Sequence, residues 1–188
     1  NYLIELWHKK DIYRIFMNEE CVRHTISGRV IDVGSAVTPA SYHRFLQKTP
    51  DVVIESFDLN FSDGKKRLDL EHDQIPAADA GVDTVLLFNV LEHIFNYTNV
   101  VKEIHRVLKP GGMLVGAVPF LVGYHADPHD YWRYTDEALQ RIFFEAGFPS
   151  PEIISFGRGP FTAGFSQKEI AYPRVLKILT VPVALFFD

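Results

Sequence analysis

The sequence predicts an α/β domain built on a mostly parallel sheet with helices on both faces, and three observations lead there. Short apolar, β-branched runs alternate along the chain with segments of helical period. The first run stops at Gly34 in a breaker-rich turn that leads into a helical pattern. A later run, residues 82–90, is apolar almost without interruption, as a central parallel strand covered on both faces must be.

Residues 2–21 read as an amphipathic leading helix, with Leu3, Leu6, Trp7, Ile12, Ile15 and Phe16 apolar. Arg29-Val30-Ile31-Asp32-Val33 reads as the first buried strand, closed by Gly34. Thr38 and Pro39 then match an N-cap followed by proline at the first helical position, with Tyr42, Phe45 and Leu46 on one face. Residues 51–57 supply a second strand ending at Asp58, residues 67–70 a short third, and residues 82–90 the central one. From Asn96, the residues Tyr97, Val100, Val101, Ile104, Val107 and Leu108 recur at helical spacing until Lys109-Pro110-Gly111-Gly112 ends the pattern. Residues 113–118 form a further strand closed by Pro119. Thr135 caps a last helix, with Asp136 and Glu137 in its positive first turn, Leu139, Ile142, Phe143 and Ala146 inward, and Gly147 at its end. The whole reads as a doubly wound, Rossmann-like sheet in a single domain. Residues 1–27 form a leading helical segment, 28–158 the core and 159–188 a C-terminal segment.

At 188 residues the chain can bury a sizeable core without staples. Its 47% hydrophobic and 23% charged residues exclude disorder. A net charge of −5 offers no basic face for a phosphate backbone, so nucleic acid is not an expected partner, and Lys65-Lys66-Arg67 reads as a solvated loop. Cys21 stands alone, which rules out an intrachain disulfide and a cysteine-based zinc site and fits a cytoplasmic setting. The apolar stretch 175–187 is broken by Lys177 and Pro182 and is too short to span a bilayer. Its Val175, Leu176, Ile178 and Leu179 are expected to pack on the sheet; the alternatives are pairing with a second copy or peripheral contact with a membrane. A chain that opens at Asn1 and stops just after Phe186-Phe187 reads as a fragment or a processed product.

In such sheets a ligand binds beyond the carboxyl ends of the strands, where strand order reverses. Gly34 lets backbone approach a ligand there, and Asp58, 24 residues on, can accept hydrogen bonds from vicinal hydroxyls. Four segments then occur in order: Val30-Ile31-Asp32-Val33-Gly34-Ser35, Asp69-Leu70-Glu71, Ile75-Pro76-Ala77-Ala78-Asp79 and Val82-Asp83-Thr84-Val85. They are followed by Asn89-Val90-Leu91-Glu92-His93-Ile94 and by Glu103-Ile104-His105-Arg106-Val107-Leu108-Lys109-Pro110-Gly111-Gly112. Over about residues 28–158 the pattern resembles class I, S-adenosylmethionine-dependent methyltransferases of the small-molecule type. The resemblance implies that Asp32, Gly34 and Ser35 line the methionine part of S-adenosylmethionine, Asp58 the ribose, and Asp69 and Leu70 the adenine, with Asn89 and Val90 bordering the pocket. The family's usual G-x-G turn is here Gly34-Ser35-Ala36, and the Ala36 methyl narrows the room beside the cofactor.

The densest polar run, His125-Ala126-Asp127-Pro128-His129-Asp130-Tyr131-Trp132-Arg133-Tyr134, follows a strand's carboxyl end and is the expected acceptor loop. It resembles a segment of bacterial methyltransferases of glycan pathways, which implies a small-molecule or glycan-linked acceptor. His129 or His125 could take a proton from the attacking group, with Asp130 beside them, while Tyr131, Trp132 and Arg133 would bind substrate. The structural alternative pairs Asp130 with Arg133 and packs Tyr131 and Trp132 on the leading helix. No metal is assigned: His125, Asp127 and His129 have ligand chemistry and Glu92 and His93 could contribute, but Pro128 stiffens the run, and Glu92 is rather expected to cap or pair at its own loop. Two rivals remain, a catalytically inactive binding or scaffold subunit and a nicotinamide-dependent oxidoreductase. The latter's customary G-x-x-G helix start for a pyrophosphate is missing.

Overall fold

The computed structural model describes residues 11–35, 39–60, 66–157, 159–168 and 172–188. In chain order these form α1 (Ile12–Cys21), β1 (Thr25–Ile26), β2 (Arg29–Val33), β3 (Gln47–Lys48), β4 (Val53–Asp58), β5 (Lys66–Arg67) and β6 (Val82–Phe88). They continue with α2 (Tyr97–Val107), β7 (Leu108–Ala117), α3 (Asp136–Glu145), α4 (Pro160–Ser166) and α5 (Arg174–Phe187). The main sheet has the order β5-β4-β2-β6-β7 with every neighbouring pair parallel. From β2 the chain winds outward through β4 to β5, then returns to lay β6 against the other side of β2. Strand order therefore reverses between β2 and β6.

Side chains alternate across these two strands as the pleat requires. Ile31, Val33, Val85 and Leu87 face a core shared with Val100, Val101, Ile104 and Val107 of α2 and Phe143 of α3. Val30, Leu86 and Phe88 face the other way, onto Met17 and Cys21 of α1 and onto Tyr42 and Leu46. Each large apolar side chain withdrawn from water here contributes about 1.5–3 kcal/mol. Helix ends follow local chemistry: Asp11 accepts from Arg14 N at 2.6 Å at the start of α1, and Thr135 accepts from Ala138 N at 3.1 Å at the start of α3.

Four expectations are corrected. The helix predicted after Thr38 is a single 3-10 turn, Ser41–Arg44, because Tyr42 and His43 turn inward to bond Asp32 and the chain then leaves to pair β3 with β1; Thr38 itself lies outside the described residues. Among the described residues the third strand is Lys66–Arg67, and residues 68–70 lie outside it. Lys109-Pro110-Gly111-Gly112 belongs to β7 and is accommodated by a register irregularity opposite Val82 and Thr84, with Lys109 Nζ donating to Asp83 at 2.7 Å. The C-terminal helix packs on helices and not on the sheet: Val181 and Ala184 join Ile12, Ile15 and Phe16 of α1 and Phe165 of α4, while Val175, Leu176 and Leu179 are exposed. Residues 2–10 of the expected leading helix lie outside the described residues. No helix among the described residues is long and apolar enough to cross a membrane.

One ion-pair network ties the segment after β5 to α2. Arg106 donates to both Glu103 oxygens at 2.8 and 2.7 Å, to Asp79 at 2.6 Å and to the carbonyls of Ala77 and Ile75 at 3.0 Å each, while Ile75 N donates to Glu103 at 2.9 Å. Arg106→Ala strips the buried Glu103 carboxylate of its cation and should lower unfolding free energy by about 2–3 kcal/mol. The check is a lower urea midpoint at unchanged slope.

Candidate functional site at the strand-order reversal

Covering both faces of β2 and β6 leaves only their ends for polar work, and the chain places its tightest turns there. Gly34 follows β2 at φ +75°, donates to Phe57 O at 2.7 Å, and sits so close to Val90 that an added Cβ would overlap its Cγ2. Asn89 follows β6 at φ +55°, held by its own N–H donating to Ala117 O at 2.8 Å and by Tyr13 Oη donating to its Oδ1 at 2.7 Å. Beyond these turns opens a cavity of about 360 Å³, lined by Gly34, Asp58, Asp69, Leu70, Asn89, Val90, His93, Ile94, Asp127, Pro128 and His129 among others. That size is in the ordinary range for a small-molecule site.

Of the residues expected at a cofactor, Gly34, Asp58, Asp69, Leu70, Asn89 and Val90 share this cavity. Asp58, at the end of β4, has Oδ1 fixed by Asn60 N at 2.8 Å. Asp69 bends into its own turn, with Oδ1 accepting from Glu71 N at 3.0 Å and Oδ2 lying 3.1 Å from His72 Nδ1. Asp32 and Ser35 do not reach the cavity surface. Asp32 is 0% exposed and accepts from Tyr42 Oη and His43 Nε2, each at 2.7 Å, so it anchors the chain behind the turn. Burial and the Asp32 charge together hold the Tyr42 hydroxyl well above the usual tyrosine range. Ser35 is buried, and Ala36 lies outside the described residues.

The expected acceptor loop is fastened to the segment after β6. Tyr131 and Trp132 both donate their N–H to Glu92 O, at 2.8 and 3.2 Å, Trp132 Nε1 donates to Ile94 O at 3.0 Å, and Tyr134 Oη donates to Leu91 O at 3.2 Å. Trp132 stacks on Phe95 and meets Tyr97 edge-on, which differs from the packing on the leading helix offered as its structural alternative. Asp130 and Arg133 do pair, in a bidentate contact of 2.6 and 2.8 Å. Arg133 also donates to the carbonyls of Val122, Trp132 and Gly123, and Asp130 accepts from His125 N at 2.8 Å. The guanidinium beside Asp130 holds its carboxyl far below the usual range. Of the loop's candidates only His129 lines the cavity.

Sequence reasoning left Glu92 out of the catalytic and binding sets and named it, with His93, only as a contributor to a metal. It was expected to cap or pair, yet it is 0% exposed and neither carboxylate oxygen has a hydrogen-bond partner among the described residues. Burial pushes its carboxyl up to about 7. The one signal in the sequence was an acid next to a histidine directly after the central strand. His93 Nε2 lies 3.6 Å and His125 Nε2 3.9 Å from Glu92 Oε1.

Residues 53–116 match the family described as a methyltransferase domain. A protein named a probable S-adenosylmethionine-dependent methyltransferase, from Mycolicibacterium smegmatis, is 39% identical over 56 residues, 28% of this chain and 22% of that protein. A demethylmenaquinone methyltransferase of Geobacillus kaustophilus is 28% identical over 131 residues, covering 54% of each. The chain thus spans less than two thirds of the length of these curated relatives. The solved structure of a methyltransferase dependent on the same cofactor, from Aquifex aeolicus, shares the fold with a TM-score of 0.54 at 17% identity, over 77% of this chain and 87% of that one. Strand order and cavity position thus define a Rossmann-like methyltransferase fold. Over residues 53–116 the chain is similar to S-adenosylmethionine-dependent methyltransferases, and its fold is that of the class I enzymes.

The residues present fit that cofactor. The Gly34 turn leaves no room for a side chain beside Val90, an acid stands at the end of β4, and Leu70, Val90 and Ile94 supply apolar wall. Because Arg133 carries the loop's bonds, Arg133→Met should free residues 122–130 without unfolding the sheet. The His125 amide, now held by Asp130, should exchange with solvent about tenfold faster or more, while amides of β6 keep their protection.

Proposed function

We propose that the cavity beyond β2, β4 and β6 binds S-adenosylmethionine and that the chain transfers its methyl group to an oxygen or nitrogen of a small-molecule or glycan-linked acceptor. The observation that carries this reading is the meeting of Gly34, Asp58 and Val90 on one cavity at the strand-order reversal. The sulfonium supplies an electrophilic methyl group and a good leaving group, so the chain's task is chiefly positioning. Asp58 would accept from the ribose hydroxyls, while Leu70, Val90 and Ile94 would flank the adenine and Asn89 would border it. Asp69 shapes the turn that carries Leu70, and Asp32 anchors the chain behind the glycine turn.

On the acceptor side His129 is the candidate base, since it is among the residues that line the cavity and an imidazole can take a proton from the attacking group. His125, Asp130, Trp132 and Arg133 act by holding the loop, and the half-exposed Tyr131 is available to an acceptor. A cytoplasmic setting fits a chain whose single cysteine is a buried free thiol.

Calorimetric titration with S-adenosylhomocysteine tests this. Micromolar binding is expected, weakened by about tenfold or more in Asp58→Ala, equivalent to roughly 1.4 kcal/mol for the lost hydrogen bonds. No binding by the folded chain, or a preference for NAD, overturns the reading.

A further inference from the structure

We infer that Glu92, His93 and His125 form a binding site for a divalent transition-metal ion at the acceptor end of the cavity. Three independent features point there. The first is convergence: one ligand atom from each side chain lies within 4.8 Å of the other two, the only such group of three or more His, Cys, Asp or Glu among the described residues. Donors held about 2.1 Å from a common ion at tetrahedral angles stand about 3.4 Å apart, so the observed 3.6 and 3.9 Å contacts to Glu92 Oε1 need only a small contraction.

The second feature is Glu92 itself. A carboxylate 0% exposed with both oxygens unpartnered is costly in a folded protein, and a cation between it and the two imidazoles would remove that cost. The third is the orientation of the histidines. His93 Nδ1 lies 2.6 Å from His129 O and His125 Nδ1 lies 2.8 Å from Gly123 O. A carbonyl oxygen can only accept, so both Nδ1 atoms carry a proton, and in the neutral tautomer that makes these bonds each Nε2 has its lone pair free for a ligand on the side of Glu92. Arg133 Nη2, at 3.3 Å, is the more distant neighbour of His125 Nδ1. Imidazoles fixed through Nδ1–H by backbone carbonyls are in the orientation that metal-ligating histidines require.

The donor set of two imidazoles and one carboxylate suits Zn²⁺, Fe²⁺, Co²⁺ or Mn²⁺ better than a hard ion that prefers all-oxygen shells. Three protein ligands leave at least one coordination position open. His93 lines the cavity together with His129, so the open position would take an oxygen of the acceptor, such as a hydroxyl or carboxylate. That role rests on the methyl-transfer reading, whereas the binding site does not. The run His125, Asp127 and His129 weighed in the sequence does not converge; only His125 joins the cluster.

The test uses the untagged chain, stripped with a chelator and titrated with Zn²⁺ by calorimetry, with the visible absorption of a Co²⁺-loaded sample as a second readout. One ion per chain is expected, with affinity reduced about tenfold or more in Glu92→Gln and in His125→Gln. His129→Ala should retain the ion, because its carbonyl and not its ring orients His93. Circular dichroism identifies any variant that fails to fold; His125 is partly exposed, so its substitution keeps the test valid if Glu92→Gln unfolds. No uptake by the folded chain, or uptake unchanged in His125→Gln, overturns the site. S-adenosylhomocysteine binding measured on the stripped sample separates the two readings: retained without Zn²⁺ uptake, it removes only the metal site, and lost with Zn²⁺ uptake intact, it removes only the cofactor reading.

Discussion

The structure depends on the double burial of β2 and β6. Both strands are covered on each face, so their interior positions must be apolar or fully bonded, and chemistry can stand only where the strands stop. Their carboxyl ends are neighbours because strand order reverses between them. Gly34 and Val90, far apart in sequence, therefore meet in a contact that leaves no room for a side chain on the glycine. Asp32 shows how strictly the rule holds: the one carboxylate inside β2 is tolerated with Tyr42 and His43 both donating to it.

Glu92 breaks the same rule one turn beyond β6. Its backbone carbonyl works for the fold by receiving Tyr131 N and Trp132 N, while its carboxylate works against it. Burial without partners costs stability, and the shift of the carboxyl up to about 7 expresses that cost. A Gln or Leu there could keep the same backbone bonds. Those bonds therefore do not account for the acid, and two imidazoles face its carboxylate.

Most of the fold was legible because periodicity and caps report burial directly. The Thr135 cap, the α2 stripe from Tyr97 to Val107 and the apolar run in β6 appear as the sequence reads, while Leu108, expected on that stripe, opens β7. The 3-10 turn at Ser41–Arg44 was not legible, since Tyr42 and His43 are drawn by Asp32, a tertiary partner that no local pattern encodes. The C-terminal helix shows the same limit: its period marks an apolar face but not whether helix or sheet receives it. At the site, the spacing of Gly34 and Asp58 brings both to one cavity, whereas the polar run 125–134 mixes braces with cavity residues. Asp130 and His129 are neighbours in sequence, yet one is consumed by Arg133 and the other lines the cavity.

That division has a consequence for how an acceptor would be received. A loop whose carbonyls at Val122, Gly123 and Trp132 are all taken by one guanidinium, and whose tryptophan is stacked on Phe95 and bonded to Ile94, has few groups left to rearrange. Its ordering entropy is met during folding and not during binding. Under the proposed reaction, selection among acceptors would fall to the shape of a preformed cavity and to the few residues that line it, His93 and His129 among them. A rigid wall suits methyl transfer, because the reaction asks for alignment of nucleophile, methyl carbon and sulfur more than for proton chemistry.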